Sequence, residues 1–86
     1  MNIGGFRIPV ANVPYQMTSD MGHMLAKGYR FAACYWDTPE GRVFSLRSRD
    51  DGENVAEVAK LFGGGGNKNM AEFRLSFEEA KKFELP

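Results

Sequence analysis

Two short stretches of the sequence carry residues that could bind an anion: Ser-Leu-Arg-Ser at 45–48 and the run of four glycines from 63 followed by Asn-Lys-Asn. Arg47 falls on a predicted strand, on the face opposite Phe44 and Leu46. Its guanidinium fork matches a phosphate or a carboxylate, and Ser45 or Ser48 could donate a hydrogen bond beside it. The alternative interpretation is a solvated arginine on a half-exposed strand.

The glycine run has two possible explanations. Gly63 suits the left-handed cap of a preceding helix, but capping does not explain Gly64, Gly65 and Gly66. Successive glycines can turn several N–H groups towards one anion, with donors from Asn67 and Lys68 at the rim. The alternative is a flexible connector. A P-loop is excluded, because the run follows a predicted helix, enters a strand and lacks Gly-Lys-Ser/Thr.

Side chains for catalysis are scarce. Metal-dependent hydrolysis needs a cluster of His, Cys, Asp or Glu ligands, and the chain has one histidine and one cysteine. His23 is interpreted as a helix-surface or helix-packing residue, and neither Ser45 nor Ser48 has a base nearby in the sequence. The chain alone is therefore predicted not to be an enzyme, and no metal or other cofactor is expected in it.

Length and charge limit the class of partner. Eighty-six residues make one domain with a thin core. Lys+Arg and Asp+Glu number 11 each, so the net charge is zero. This argues against a protein that grips long duplex DNA, for which phosphate neutralisation supplies much of the affinity. A small, local phosphate site remains compatible with zero net charge.

Cysteine use and hydropathy indicate the compartment. Cys34 is the only cysteine and lies in an apolar run, which predicts no disulfide and a reducing environment. That run, FAACYW, is too short to span a bilayer, and the N-terminus lacks the layout of a secretory signal. A cytoplasmic protein without a membrane partner is expected.

The first half of the chain predicts an edge strand, a helix and a hairpin. Residues 6–10 are apolar with a proline, as at a sheet edge. Met21, Met24 and Leu25 have helical spacing before a stop at Gly28. Two strands, 31–37 and 42–48, then form an antiparallel hairpin across Thr-Pro-Glu-Gly.

The second half predicts a helix, a strand and a helix. Asn54 and Glu57 have capping-box spacing before a helix that ends at Gly63. Residues 70–75 alternate as a strand, and Ser76 opens a last helix. The order β-α-β-β-α-β-α predicts an α+β domain, a small mixed β-sheet with helices packed against it.

Taken together, FSLRS at 44–48, a helix, and GGGGNKNMAEF at 63–73 resemble the DHH-associated domain, subfamily one, of DHH-family phosphoesterases. In that family a strand ending in Ser-Leu-Arg-Ser precedes a helix and a Gly-Gly-Gly-His loop. The upstream segment from Ile8 to Asp37 is similar to the family's run of strand, Asn-Pro turn and small helix. The resemblance covers nearly the whole chain.

The resemblance implies the C-terminal, substrate-binding domain of a larger enzyme. Such enzymes hydrolyse phosphodiester or phosphoanhydride bonds in short RNA, single-stranded DNA, nucleotides or polyphosphate, at a manganese centre in a separate Asp-His-His domain that would act in cis or in trans. Here Arg47 would clamp a phosphate and Gly64–Gly66 would cradle it, with Ser48 and Lys68 beside them. Asn67 stands in the place of the motif histidine.

Two positions depart from the family pattern. Asn67 can donate a hydrogen bond but carries no charge, and Glu72, at the place of a usual glycine, could oppose a phosphate. The alternative function is therefore a free-standing interaction or dimerisation domain that has lost nucleotide binding, and a homodimer is a possible assembly. The sequence start, without a leader, is expected of a domain taken from a longer chain.

Overall fold

The computed structural model describes residues 1–84, whose strands form two sheets. A two-stranded hairpin of β1 and β2 precedes a five-stranded sheet with the order β3-β4-β5-β7-β6. The strand bounds are β1 Asn2–Ile3, β2 Phe6–Arg7, β3 Val10–Asn12, β4 Ala32–Thr38, β5 Gly41–Arg47, β6 Gly65–Asn67 and β7 Met70–Leu75.

Three short α-helices accompany the sheets: α1 Thr18–Leu25, α2 Val55–Lys60 and α3 Phe77–Ala80. Single 3-10 turns precede α1 at Tyr15–Met17 and follow α3 at Lys81–Glu84. The Asn54 side chain accepts a hydrogen bond from the N–H of Ala56 and caps α2. Ser76 and Glu79 form a reciprocal capping box that fixes the start of α3.

The predicted fold class is confirmed, since the protein is an α+β domain with a mixed sheet. β3 pairs with β4 in parallel, and the other neighbours are antiparallel. Two details differ from the prediction. The segment 6–10 is divided, because its first two residues belong to the small hairpin and only Val10 enters the large sheet. The glycine run also contains a strand, β6.

One face of the large sheet carries the hydrophobic core, on which α2 and α3 pack. The alternation of β5 and β7 brings Phe44 and Phe73 to this face, where their rings stack 5.0 Å apart. Phe83 meets the Phe44 ring edge-on at 5.3 Å. The wholly buried side chains of Leu46 and Val55 complete the contact between sheet and α2.

The other face is covered only in part. α1 contacts β3, β4 and β5 on this side and leaves the hairpin of β6 and β7 open. Because side chains alternate along a strand, Ser45 and Arg47 of β5 share this face with Met70 and Glu72 of β7. Arg47 thus lies at the boundary between the covered and the open part of the sheet.

Candidate functional site

An open cleft of about 470 Å³ lies between the start of α1 and the β6–β7 hairpin. This volume is within the range of small-ligand sites. One wall comes from the 3-10 turn and the first turn of α1, and the other wall comes from the hairpin. Arg47 lines the cleft between them, and the lining residues are Tyr15, Gln16, Thr18, Ser19, Arg47, Gly65, Gly66, Met70, Ala71 and Glu72.

Arg47 is held by the packing of its stem. It is the last residue of β5, and Gly22 of α1 lies against it so closely that a Cβ there would be 2.5 Å from Arg47 Cγ. Its Nη1 donates a long hydrogen bond of 3.4 Å to the carbonyl of Leu46. Arg47 is half-buried, and within residues 1–84 it forms no ion pair.

The positive charge of Arg47 affects the pKa of its neighbour Cys34. Burial raises the pKa of the Cys34 thiol above its ordinary value, while the positive charge of Arg47 acts in the opposite direction. Cys34 is paired with Ser45 on the adjacent strand and is completely buried. The thiol is therefore neutral at physiological pH and does not offset the arginine charge.

The glycines form an edge strand and a close approach. The amides of Gly63 and Gly64 donate to carbonyls at the end of α2, at 3.2 and 2.9 Å. Gly65 and Gly66 pair with β7, and in an antiparallel ladder only every second residue turns its N–H to the free edge. The expected nest of converging amides is therefore not the geometry of this segment, and the segment is not a flexible connector either.

The chain needs glycine here for steric reasons. A Cβ at Gly64 would lie 2.0 Å from the Glu72 carbonyl oxygen, and one at Gly66 would lie 2.3 Å from the Met70 carbonyl oxygen. Gly65 differs, because nothing lies within 4 Å of its Cβ position. Gly64 and Gly66 let β6 approach β7, while Gly65 leaves open space in the wall of the cleft.

Asn67, Lys68 and Ser48 are engaged in the turn between β6 and β7. The Asn67 side chain accepts hydrogen bonds from the amides of Asn69 (3.1 Å) and Met70 (3.0 Å) and shapes the turn. Ser48 is buried and donates to the Lys68 carbonyl at 3.1 Å. Lys68 Nζ donates to the Asp50 carbonyl at 3.3 Å. Of the predicted site residues, the structure brings Arg47, Gly65 and Gly66 together in the cleft. The others lie outside its lining: Ser48, Gly64, Asn67 and Lys68.

The wall formed by α1 was not predicted. Met17, at the N-cap position of α1, makes no side-chain capping bond, and the Thr18 hydroxyl donates instead to the Tyr15 carbonyl at 2.9 Å. The preceding 3-10 turn supplies acceptors for the start of α1, since the Thr18 N–H donates to the Tyr15 carbonyl and the Met17 N–H donates to the Pro14 carbonyl. Tyr15 is 63% exposed at this wall and meets Trp36 edge-on at 5.4 Å. The helix-start signal at Thr18 and Ser19 could have indicated this wall.

Glu72 is the charge that opposes an anion in the cleft. It is exposed, and none of the residues 1–84 forms a hydrogen bond or an ion pair with its carboxylate. In the β5–β7 register it lies diagonally from Arg47, since Arg47 faces Met70 and Ser45 faces Glu72. The cleft thus offers one cation and one hydrogen-bond-accepting anion on neighbouring strands.

Two further observations concern metal sites and membranes. Residues 1–84 contain no group of three or more His, Cys, Asp or Glu side chains placed to hold a metal ion. In the same part of the chain no helix has the length and apolar character needed to cross a bilayer.

Comparisons with known proteins give matches to proteins that are themselves uncharacterized. No protein-family model matches the chain. The uncharacterized protein R106 of Acanthamoeba polyphaga mimivirus is 33% identical over 66 residues, covering 71% of this chain and 16% of that protein. A crystal structure of an uncharacterized protein from Helicobacter pylori G27 matches with a TM-score of 0.57 and 17% identity, over 85% of this chain and 23% of that one. The structural likeness shows a shared fold, and this chain spans less than a quarter of either protein.

Proposed function

We propose that this chain is a phosphate-binding module that takes a nucleotide or a short single-stranded nucleic acid in the Arg47 cleft. The observation that carries the proposal is the guanidinium of Arg47, which lines an open cleft and forms no ion pair within residues 1–84. A partly dehydrated guanidinium gains binding free energy when it donates two parallel hydrogen bonds to one phosphate. Open space at Gly65 leaves room for the ligand.

The apolar side chains around the cleft favour a nucleotide over inorganic phosphate. Tyr15 and Met70 are 63% and 47% exposed and line the same cleft as Arg47. An exposed aromatic ring is a stacking surface for a base.

In this proposal the module belongs to a DHH-type phosphoesterase and does not itself cleave phosphodiester or phosphoanhydride bonds. The resemblance of residues 44–48 and 63–73 to the family's motifs supports this assignment. The chain spans 16% and 23% of the two longer proteins that it matches, which supports a module of a larger protein. Manganese would belong to the separate domain, so no step is assigned to it here. The single buried thiol of Cys34 supports a cytoplasmic, reducing setting.

A second candidate function is an interaction domain. β6 ends the five-stranded sheet, and within residues 1–84 it pairs with β7 alone, so its other edge offers backbone groups to a partner strand. Sedimentation of the purified chain over a range of concentrations tests this candidate. A concentration-dependent dimer that persists with saturating nucleotide would favour it over the phosphate-binding module.

Calorimetric titration of the chain with a nucleoside monophosphate and with a trinucleotide tests the leading proposal. Arg47→Ala should weaken binding at least tenfold, because a charge-assisted hydrogen bond contributes about 1.5–3 kcal/mol. Arg74→Ala is the matched control, since Arg74 of β7 lies on the same face of the sheet as Arg47 but outside the cleft. Equal losses in the two variants, or no binding by the unmodified chain at millimolar ligand, would refute the proposal.

A further inference from the structure

A second concavity, of about 540 Å³, lies at the opposite end of α1 from the Arg47 cleft. It is formed by β2, by the loop between α1 and β4, and by the loop that follows β5. We call it the basic pocket, because four of its lining residues are cations: Arg7, Lys27, Arg30 and Arg49.

The charge of this pocket does not follow from the composition. The chain is neutral overall, with 11 basic and 11 acidic residues, yet four of the basic ones converge here and Asp51 is the one carboxylate in the lining. Like charges gathered around one concavity repel each other unless an anion neutralises them. The arrangement therefore favours an anionic ligand.

Two of the four cations are fixed and two are free to contact a ligand. Arg30 pairs with Glu53 and lies over the Phe6 ring at 5.3 Å. Arg49 Nη2 donates to the His23 carbonyl at 3.0 Å. Arg7 and Lys27 are exposed, and the side chain of neither one forms a hydrogen bond or an ion pair within residues 1–84.

Arg49 supplies an independent sign of a missing acceptor. Its Nε is buried, and none of the residues 1–84 provides a hydrogen-bond acceptor for it. Buried polar atoms without a partner are rare in folded proteins, and each calls for an explanation. The same side chain lines the basic pocket, so an anion bound there would lie next to a cation whose Nε–H has no acceptor within residues 1–84.

Backbone contacts between two loops hold the shape of the pocket. The amide of Glu53 donates to the Arg30 carbonyl at 2.8 Å, and Gly52 packs on the same carbonyl, where a Cβ would be only 2.5 Å away. The amide of Gly52 also donates to the Arg49 carbonyl at 2.8 Å. These contacts hold the loop after β5 against the α1–β4 loop, so little ordering cost is left for binding.

We infer that the basic pocket is a second anion site, which takes a ligand with two or more linked phosphate groups. Its volume lies in the range of sites for small organic ligands and exceeds what one phosphate needs. Linked phosphates occur free, as in pyrophosphate, and in the backbone of a single strand. Tyr29, 56% exposed in the lining, would add base stacking only for the second source.

Side-chain NMR of the full chain tests this inference with pyrophosphate and hexathymidylate as probes. Pyrophosphate should shift the Arg49 Nε–H resonance, and Lys27→Glu should weaken its binding about tenfold. Lys60→Glu is the matched control, because Lys60 lies on α2, on the opposite face of the sheet. Its Nζ forms an exposed ion pair with Glu57 Oε1 at 3.8 Å. Tyr29→Ala should weaken the hexathymidylate complex alone if the ligand is a single strand, and neither complex if it is a free oligophosphate.

The outcomes separate the two sites. An Arg49 Nε–H resonance unmoved by millimolar pyrophosphate, or equal weakening by Lys27→Glu and Lys60→Glu, would overturn the inference. Arg47→Ala should leave the Arg49 response to pyrophosphate intact. If that response persists while nucleotide binding at the Arg47 cleft is absent, the basic pocket stands and the proposed function fails.

Discussion

Replacing neighbouring glycines by alanine should change stability in opposite directions. At Gly64 an added Cβ would lie 2.0 Å from the Glu72 carbonyl oxygen and 2.6 Å from Phe73 Cβ. At Gly65 nothing lies within 4 Å of the new atom. Gly64→Ala therefore forces β6 away from β7, while Gly65→Ala adds a methyl group to open space.

The magnitudes follow from these contacts. Overpacking costs about 1–3 kcal/mol, and we expect the upper end for Gly64→Ala because the atom in the way belongs to the backbone. Gly65→Ala should stabilise the protein by about 0.4–1 kcal/mol, since alanine restricts the unfolded chain and meets no obstacle. For a domain of this size each kcal/mol corresponds to roughly 4–8 °C in Tm.

Urea unfolding followed by far-UV circular dichroism and by the fluorescence of Trp36 measures both changes. Equal m-values in the three proteins would show that the same folded state is compared. Equal tolerance of alanine at Gly64 and Gly65 would refute the claim that close approach of β6 to β7 explains the glycine run. Destabilisation of the same size at both positions would refute it as well.

Three further predictions follow from charge and hydrogen bonding. Glu72→Gln should tighten nucleotide binding by roughly two- to fivefold at low salt, and less at high salt, because it removes the opposing charge of the cleft; calorimetry at two salt concentrations measures this. Ser76→Ala should destabilise the protein by about 1 kcal/mol through loss of the cap. The Ser76 backbone N–H, and to a lesser degree the Ser76 hydroxyl, lower the pKa of Glu79. This part of the stability is therefore present above the ordinary carboxylate pKa and lost as the pH falls through the lowered one. The urea-midpoint difference between the unmodified protein and a Glu79→Gln variant should therefore shrink at acid pH, and a constant difference would contradict the assignment. Cys34 should react with a thiol reagent only after unfolding, and rapid labelling of the native protein would contradict its burial.

The large sheet was predictable because its strands alternate or are wholly apolar. Phe44 and Leu46 on β5, and the alternating residues of β7, place the core face directly from the period of two. β6 was not predictable from the same signal, since glycines carry no side chains and show no periodicity. The split of residues 6–10 was also missed, because the two residues of β2 are too few to form a pattern.

The candidate site was predictable only in part. Arg47 could be placed on its face from the alternation of β5, but its nearness to Gly22 depends on how α1 packs across the sheet. Asn67 shows the limit of composition, because its side chain shapes a turn whose geometry follows from the pairing of β6 with β7. The basic pocket unites Arg7, Lys27 and Arg49 from distant parts of the chain, and no local pattern indicates such a convergence.

The most direct test of the phosphate-binding claim is the Arg47 Nε–H resonance during titration with a nucleoside monophosphate. We expect this resonance to shift in step with the amides of Gly65 and Gly66, which line the same cleft. A resonance that stays in place, while the ligand shifts signals elsewhere on the protein, would contradict the account.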